Sequence, residues 1–370
     1  MIKVLTDYQA FSMQKYGGIS RYFANIFYKA KISESVRVRL GLLYNSNYYI
    51  ENEKFLLNNF LFRQFLKKES RAKKWNKAYC KYLLKENKFD IFHPTYYNAY
   101  FLNYLKKPLV ITVHDMIYEV LPEYFNNNDP LTLQKKLLVQ HANAIIAISE
   151  STKKDLMNIL KVEPNKITVI HHGIDHTVPL EIKPVDGLPL NFLLYVGERT
   201  QYKNFFRFAN CCAKLLNEND GLRIVFAGGG AIKHAELSKM ESLGITDYCV
   251  QMNVTDAQLN YLYKKAKAFV FPSLYEGFGL PILEAFKAGC PIASSNTSCF
   301  PEIGGDAIAY FDPYDEQSMF NIISKLLVDD GKRANLVEKG YERLKMFSLD
   351  EQIEKTLAVY ENILDSPLIR

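Results

Sequence analysis

Short apolar runs alternate with longer amphipathic stretches along the chain. In the first half, Ile2–Leu5, Val38–Leu43, Ile91–His93, Leu109–Val113 and Ala144–Ile148 read as buried strands, and Ser20–Lys31 reads as a helix. The pattern restarts after residue 190. Phe192–Val196, Arg223–Ala227, Tyr248–Met252, Ala268–Phe271 and Pro291–Ser294 are strand candidates, with helices at Phe205–Asn217, Ala257–Lys265 and Pro281–Lys287. Strand–helix alternation predicts an α/β fold of two Rossmann-like, doubly wound parallel sheets. Between the halves lies VPLEIKPVDGLPL, whose Pro179, Pro184 and Pro189 make a stiff, extended connector over about 178–190. The domains expected are therefore 1–178 and 190–346. Two such domains placed face to face make a central cleft, and open parallel sheets bind ligands outside the carboxyl ends of their strands.

After residue 346 the pattern is helical once more. Ile353, Leu357, Tyr360, Ile363 and Leu364 recur at helical spacing, and Ser348 with Glu351 forms a capping pair. A helix that follows a complete second domain needs another surface for its apolar face.

Length and composition fit this picture. The 370 residues suit two domains of roughly 150–190 residues each. Hydrophobic residues make up 48% and charged residues 23%, which is ordinary for a globular chain. Cys80, Cys211, Cys212, Cys249, Cys290 and Cys299 show neither disulfide nor zinc spacing and read as thiols in a reducing compartment. The opening MIKVLTDYQAF lacks the apolar core of a signal peptide, and no stretch reaches the roughly 18 apolar residues of a membrane span. The expected place is cytoplasmic, free or peripheral on the inner face of the cytoplasmic membrane.

The net charge of +6 is uneven. Residues 54–88 carry eleven Lys and Arg against only Glu69 and Glu86, with Phe55, Phe60, Phe62, Phe65, Trp75, Tyr79 and Tyr82 interleaved. Cations beside aromatics describe a helix lying on an anionic membrane surface. The bland alternative is a solvated face with its aromatics turned into the core. No recognised nucleic-acid motif accompanies the charge, so a nucleic-acid partner is not expected.

Four segments carry candidate chemistry. FPSLYEGFGLP (271–281) places Glu276, Gly277 and Gly279 in a loop between a strand and a helix, with Pro281 at a favoured first helical position. Glycine-rich backbone ahead of a helix N-terminus exposes amide donors to an anion such as a diphosphate. Glu276 in the loop and Glu284 in the helix can each accept hydrogen bonds from sugar hydroxyls. VGERTQYKNF (196–205) offers Arg199 and Lys203, a planar fork and a point charge that could converge on one diphosphate and neutralise a leaving group. KYGGISRYF (15–23) places Gly17 and Gly18 where backbone can approach a ligand. VITVHDMIY (110–118) sets His114 and Asp115 at the end of a buried strand, although a lone histidine is more often structural. Neither the adjacent His171 and His172 nor any other group is read as a metal site. FAGGG (226–230) lacks the spacing of a nicotinamide-binding loop.

These strings resemble the retaining glycosyltransferases of family GT4, with Glu276 and Glu284 in register with that family's E-x7-E motif. AISESTKKDL (147–156), VIHHGID (169–175), FAGGG and NVTDAQLNYLYKKA (253–266) are similar to further GT4 segments, so the resemblance runs from Gly17 to about Pro313, apart from residues 45–88. It implies the GT-B fold, with the tail helix over 347–370 crossing back to the first domain. It also implies a hexosyltransferase that takes a nucleotide diphosphate-sugar donor and a saccharide or lipid-linked acceptor, and needs no cofactor and no metal. The chain has no Asp-x-Asp, the metal-holding motif of the other common glycosyltransferase fold. The implied catalytic residues are Glu276, His114, Arg199 and Lys203. The implied donor-binding residues are Gly17, Gly18, Gly277, Phe278, Gly279, Leu280 and Glu284, together with Val254 at the base. The N-terminal strings most resemble a mannosyltransferase-like branch that builds bacterial O-antigens or capsules, which implies GDP-mannose as donor. Two other outcomes remain open: a nucleotide-sugar hydrolase or epimerase of the same fold, and a non-catalytic nucleotide-binding scaffold.

Overall fold

The computed structural model describes residues 1–57, 66, 68–126 and 129–365. The chain divides into two compact units, one of Met1–His172 with the segment from Asp350 onward, the other of Gly173–Leu349.

Among the described residues the first unit holds six parallel strands: β1 (Ile2–Thr6), β2 (Val36–Leu40), β3 (Ile91–His93), β4 (Val110–Val113), β5 (Ala144–Ala147) and β6 (Ile167–Val169). They form two three-stranded sheets, ordered β2-β1-β3 and β4-β5-β6, joined by a parallel bridge between Phe92 and Leu109. Most of these strands are buried apolar runs, because parallel sheets are covered on both faces. β2 lies two residues before the apolar run that predicted it. Its sequence VRVRL alternates buried and exposed, as an edge strand should, while Leu42 is buried in the loop beyond. β6 was not foreseen; ITV is too short to stand out.

The second unit contains β7 (Phe192–Val196), β8 (Arg223–Ala227), β9 (Cys249–Met252), β10 (Ala268–Phe271), β11 (Ile292–Ser295) and β12 (Ala309–Phe311) in one parallel sheet, ordered β12-β11-β10-β7-β8-β9. The chain runs outward one way from β7 and the other way from β10. The reversal leaves a crevice between the loops that follow those two neighbours, the usual ligand position in a doubly wound sheet. One core cluster, with Phe205, Phe208, Leu215, Phe226 and Met319, packs the helices Phe205–Glu218 and Glu316–Val328 onto this sheet.

The passage between units falls at Gly173 rather than in the expected connector. Residues 178–190 belong with the second unit. Lys183 N donates to Ala257 O at 3.0 Å, Asn260 Nδ2 to Glu181 O at 2.9 Å, and Lys287 Nζ to Asp175 O and Val178 O at 2.7 and 2.8 Å. Prolines removed donors here, but side chains of the second unit took up the carbonyls. Gly173 is set by crowding, since a Cβ there would lie 2.2 Å from Ser348 O.

The C-terminal helix Leu349–Asp365 buries Ile353, Tyr360 and Ile363, and the segment from Asp350 clusters with the first unit. Tyr360 shares a hydrogen bond of 2.8 Å with His93 Nδ1, and Lys29 pairs with Asp350 at 2.6 Å.

Candidate donor site and its surroundings

At the reversal point of the second unit, the loops after β7 and β10 meet. Lys203 Nζ donates to Glu276 Oε1 at 2.5 Å, with the two side chains 20% and 16% exposed. Leu274 N donates to Tyr202 O at 2.8 Å, so backbone also ties the loops together. Burial is the largest single influence and opposes the Lys203 charge, but Glu276, Tyr202 and Glu198 together lift the ammonium pKa above its ordinary value.

The β10 loop is held from beneath by the segment after β11. Thr297 Oγ1 donates to Leu274 O at 2.9 Å, Ser298 Oγ to Glu276 O at 3.1 Å, and Cys299 Sγ to Phe278 O at 3.1 Å. Glu276 N in turn donates to Ser298 Oγ at 3.1 Å. No sequence signal marked these three supports. Phe278 is buried edge-on against Phe347.

Gly279 caps the helix Leu280–Ala288 at φ 91, a left-handed conformation that side chains resist. The helix begins at Leu280, one residue before Pro281. Its first-turn amides, including those of Leu280 and Leu283, point out of the N-terminus and favour an anion. One turn on, Glu284 is half-buried and accepts from Tyr263 OH at 3.5 Å. Half-buried Val254 follows β9.

Arg199 does not join Lys203 at the Glu276 loop. Its guanidinium is wholly buried and paired with Glu236 at 2.9 Å, and further N–H groups meet the carbonyls of Gly228, Gly230 and Ala231 at 3.2, 2.9 and 3.2 Å. The expected convergence of Arg199 and Lys203 on one diphosphate is thus replaced by two separate ion pairs, Lys203–Glu276 partly exposed and Arg199–Glu236 buried. Glu236 carried no sequence signal, being 37 residues further on.

In the first unit the strand order reverses between β1 and β3. There Asp7 is fully buried and accepts from Thr95 N at 2.9 Å, Thr95 Oγ1 at 2.7 Å and Gln9 Nε2 at 2.6 Å. This network fixes the start of the loop that leads to Gly17 and Gly18. Gly17 precedes the helix Gly18–Ile32, and a Cβ there would meet Gln14 Oε1 at 2.4 Å.

His114 follows β4 and is buried. Its N–H donates to Tyr97 OH at 2.8 Å, its ring lies edge-on to Tyr22 and parallel to His172, and its Nε2 has no partner. Burial pushes the imidazoles of His93, His114 and His172 down to about 3, so all three are neutral. Lys135, itself fully buried, donates to Asp115 O at 3.0 Å and Glu119 Oε2 at 2.9 Å, which fixes the segment after His114. Nothing in the residue pattern marked His93, His172 and Lys135 as neighbours of His114.

The basic stretch forms the helix Glu69–Glu86, with Ala72, Asn76, Cys80, Leu83 and Leu84 inward. Arg71, Trp75, Ala78, Tyr82 and Lys85 share the opposite, exposed face. Trp75 and Tyr82 are 44% and 55% exposed, so these aromatics are not turned into the core. Phe60, Phe62, Arg63, Phe65 and Lys67 lie outside the described residues. No described helix is long and apolar enough to cross a membrane.

Comparison with known proteins bears on the fold and the family. Residues 51–178 match the family described as Glycosyltransferase Family 4, and residues 183–343 match Glycosyl transferases group 1. O-antigen chain mannosyltransferase B of Escherichia coli is 27% identical over 294 residues, covering 75% of this chain and 76% of that protein. O-antigen chain mannosyltransferase RfbU of Salmonella typhimurium is 26% identical over 221 residues, 58% of this chain and 60% of that one. The chain therefore spans less than two thirds of that second relative. Sucrose-phosphate synthase of Thermosynechococcus elongatus superposes with a TM-score of 0.74 at 17% identity, over 98% of this chain and 99% of the other. WaaG, a glycosyltransferase involved in lipopolysaccharide biosynthesis, does so at 0.68 and 15% identity, over 97% and 99%. These likenesses give the fold. With a family 4 N-terminal half and a group 1 C-terminal half, the chain belongs to the glycosyltransferases of GT-B fold.

Proposed function

We propose that the chain transfers a hexose, mannose from GDP-mannose in the first instance, to a saccharide or lipid-linked acceptor with retention of configuration. The carrying observation is the Lys203–Glu276 pair at the reversal point of the second sheet, ahead of the Gly279-capped helix. The donor's diphosphate sits on Lys203 and on the amides of Gly277, Phe278, Gly279 and Leu280. Lys203 supplies positive charge to the leaving group, so this reading asks for no metal. Glu276 turns to a sugar hydroxyl, Glu284 to the ribose, and Val254 to the base. In the first unit, His114 offers its unpartnered Nε2 to a hydroxyl, and Gly17 and Gly18 can bring backbone to a ligand. The bond from the sugar's C1 to the phosphate oxygen breaks, and the acceptor oxygen bonds to C1 on the same face. The acceptor's proton passes to the departing diphosphate. Relatives named as O-antigen mannosyltransferases support the donor sugar and a role in surface polysaccharide assembly.

We place the reaction at the cytoplasmic face of a membrane, with the exposed Arg71–Lys85 stripe of cations, Trp75 and Tyr82 on anionic lipid. The experiment is GDP release from GDP-mannose with and without acceptor, with the anomeric configuration of the product read by NMR. Acceptor-dependent release and an α-linked product are expected. Equal release without acceptor would indicate a hydrolase. No release from any nucleotide-sugar would point to a scaffold.

A further inference from the structure

We propose that Arg199 is a positioning residue: it holds the Gly228–Ala231 turn in shape for the nucleotide end of the donor and does not itself grip the diphosphate. This rests on the donor-site reading above. Arg199 Nε donates to Glu236 Oε2 at 2.9 Å, Nη1 to Gly228 O at 3.2 Å, and Nη2 to Gly230 O at 2.9 Å and Ala231 O at 3.2 Å. Every guanidinium nitrogen is committed, and the side chain has no exposed surface. To reach a ligand it would have to break a buried ion pair, which leaves an uncompensated charge inside the protein.

The turn needs such a cation. Gly228, Gly229 and Gly230 all lie in the left-handed region, at φ 73, 71 and 71. Successive residues there bring several carbonyl oxygens close together, and the planar fork of one guanidinium satisfies them at once. Glu236 closes the arrangement from the other side. It accepts from Lys233 N at 2.9 Å and so caps the helix His234–Ser242 while it neutralises Arg199. The turn is also pressed against the β7 loop, for a Cβ on Gly229 would lie 2.3 Å from Gly197 O.

Location gives the turn its role. It follows β8, between the β7 loop that carries Lys203 and the end of β9 that leads to Val254, and Gly228 N donates to Met252 O at 3.1 Å. Glu276 lies on the other side of β7, after β10. A donor whose diphosphate rests on Lys203 and whose base reaches Val254 passes this turn with its nucleotide, not with its reacting carbon. Loss of Arg199 should therefore weaken donor binding more than it slows transfer.

The test compares Arg199→Met, Arg199→Lys, Glu236→Gln and Gly229→Ala with wild type, by steady-state kinetics on GDP-mannose and by amide hydrogen exchange of the 228–232 segment. Arg199→Met and Glu236→Gln are expected to raise KM for GDP-mannose together by about tenfold, with kcat held within about threefold. Exchange of the segment should rise in both, and Arg199→Lys should recover part of each effect. A fall in kcat of about a hundredfold in Arg199→Met, with Glu236→Gln like wild type, would mean that Arg199 touches the leaving group. If Arg199→Met fails to fold, Glu236→Gln and Gly229→Ala carry the comparison, and unchanged KM in both overturns the proposal. If the wild type neither binds nor turns over any nucleotide-sugar, the donor reading fails. The exchange data then decide the positioning alone, and unchanged protection in Arg199→Lys and Glu236→Gln refutes it.

Discussion

Acidifying the protein from pH 7 to pH 5 should strip stability from the first unit through three buried histidines. His93, His114 and His172 are buried there, and burial holds each imidazole at about 3 against an ordinary 6.5. Between those values the unfolded chain binds protons that the folded chain refuses, so stability falls as pH falls. Each histidine then costs about 2 kcal/mol at pH 5, and the three together cost about 6 kcal/mol, comparable to the whole stability of a domain. Asp7, whose carboxyl is pushed up by burial, works in the opposite sense: its contribution is present below its unfolded value of 3.8 and is lost as pH rises from there through its raised folded value. The assay is urea unfolding followed by fluorescence of Trp75, the chain's single tryptophan, which reports the first unit. His93→Gln is the perturbation. It gives up the contacts to Tyr360 and Thr112 at every pH, so the readout is the loss between pH 7 and pH 5. That loss should shrink by about 2 kcal/mol. An unchanged loss in His93→Gln would show that His93 is solvated and protonated in the folded protein.

Three further outcomes follow from the geometry. Glu276→Gln should lower kcat about 10²- to 10³-fold while far-UV circular dichroism stays unchanged, since the residue lies in a supported loop; normal turnover would remove it from the site. Gly279→Ala forces a side chain to adopt φ 91 and should cost about 1–2 kcal/mol in unfolding free energy along with weakened GDP binding; a neutral result would mean the helix cap can shift. Replacing Lys73, Lys74, Trp75 and Lys85 with Gln should weaken binding to phosphatidylglycerol vesicles by about 1 kcal/mol per cation, with little effect at high salt; equal binding would end the membrane role.

The fold was legible because parallel strands buried on both faces appear as apolar runs, and ten of them could be read directly. β2 was displaced because an edge strand such as VRVRL alternates, while the apolar Leu42 and Leu43 next to it belong to a loop. β6 and β12 are three residues long and, unlike the equally short β3, are not buried throughout, so neither stands out as an apolar run. The proline-rich 178–190 segment read as a linker because sequence shows missing donors but not the side chains that meet its carbonyls. In the site, glycine and proline punctuation around Glu276 was visible because backbone conformation is written into those residue types. Arg199 shows the limit: its charge is evident in sequence, but Glu236 and the carbonyls of Gly228, Gly230 and Ala231 decide what that charge does. His93, His114 and His172 come from three separate segments, and nothing local to any of them announces that they share one interior.

Thermal unfolding with GDP, UDP and dTDP, on wild type and on Lys203→Met, bears most directly on the claim that the second unit seats a nucleotide diphosphate. At a hundredfold excess over its dissociation constant, GDP should stabilise the wild type by about 2.7 kcal/mol, and the same concentration should do markedly less for Lys203→Met. A midpoint that does not move with any of the three, with or without added magnesium, would contradict the donor site.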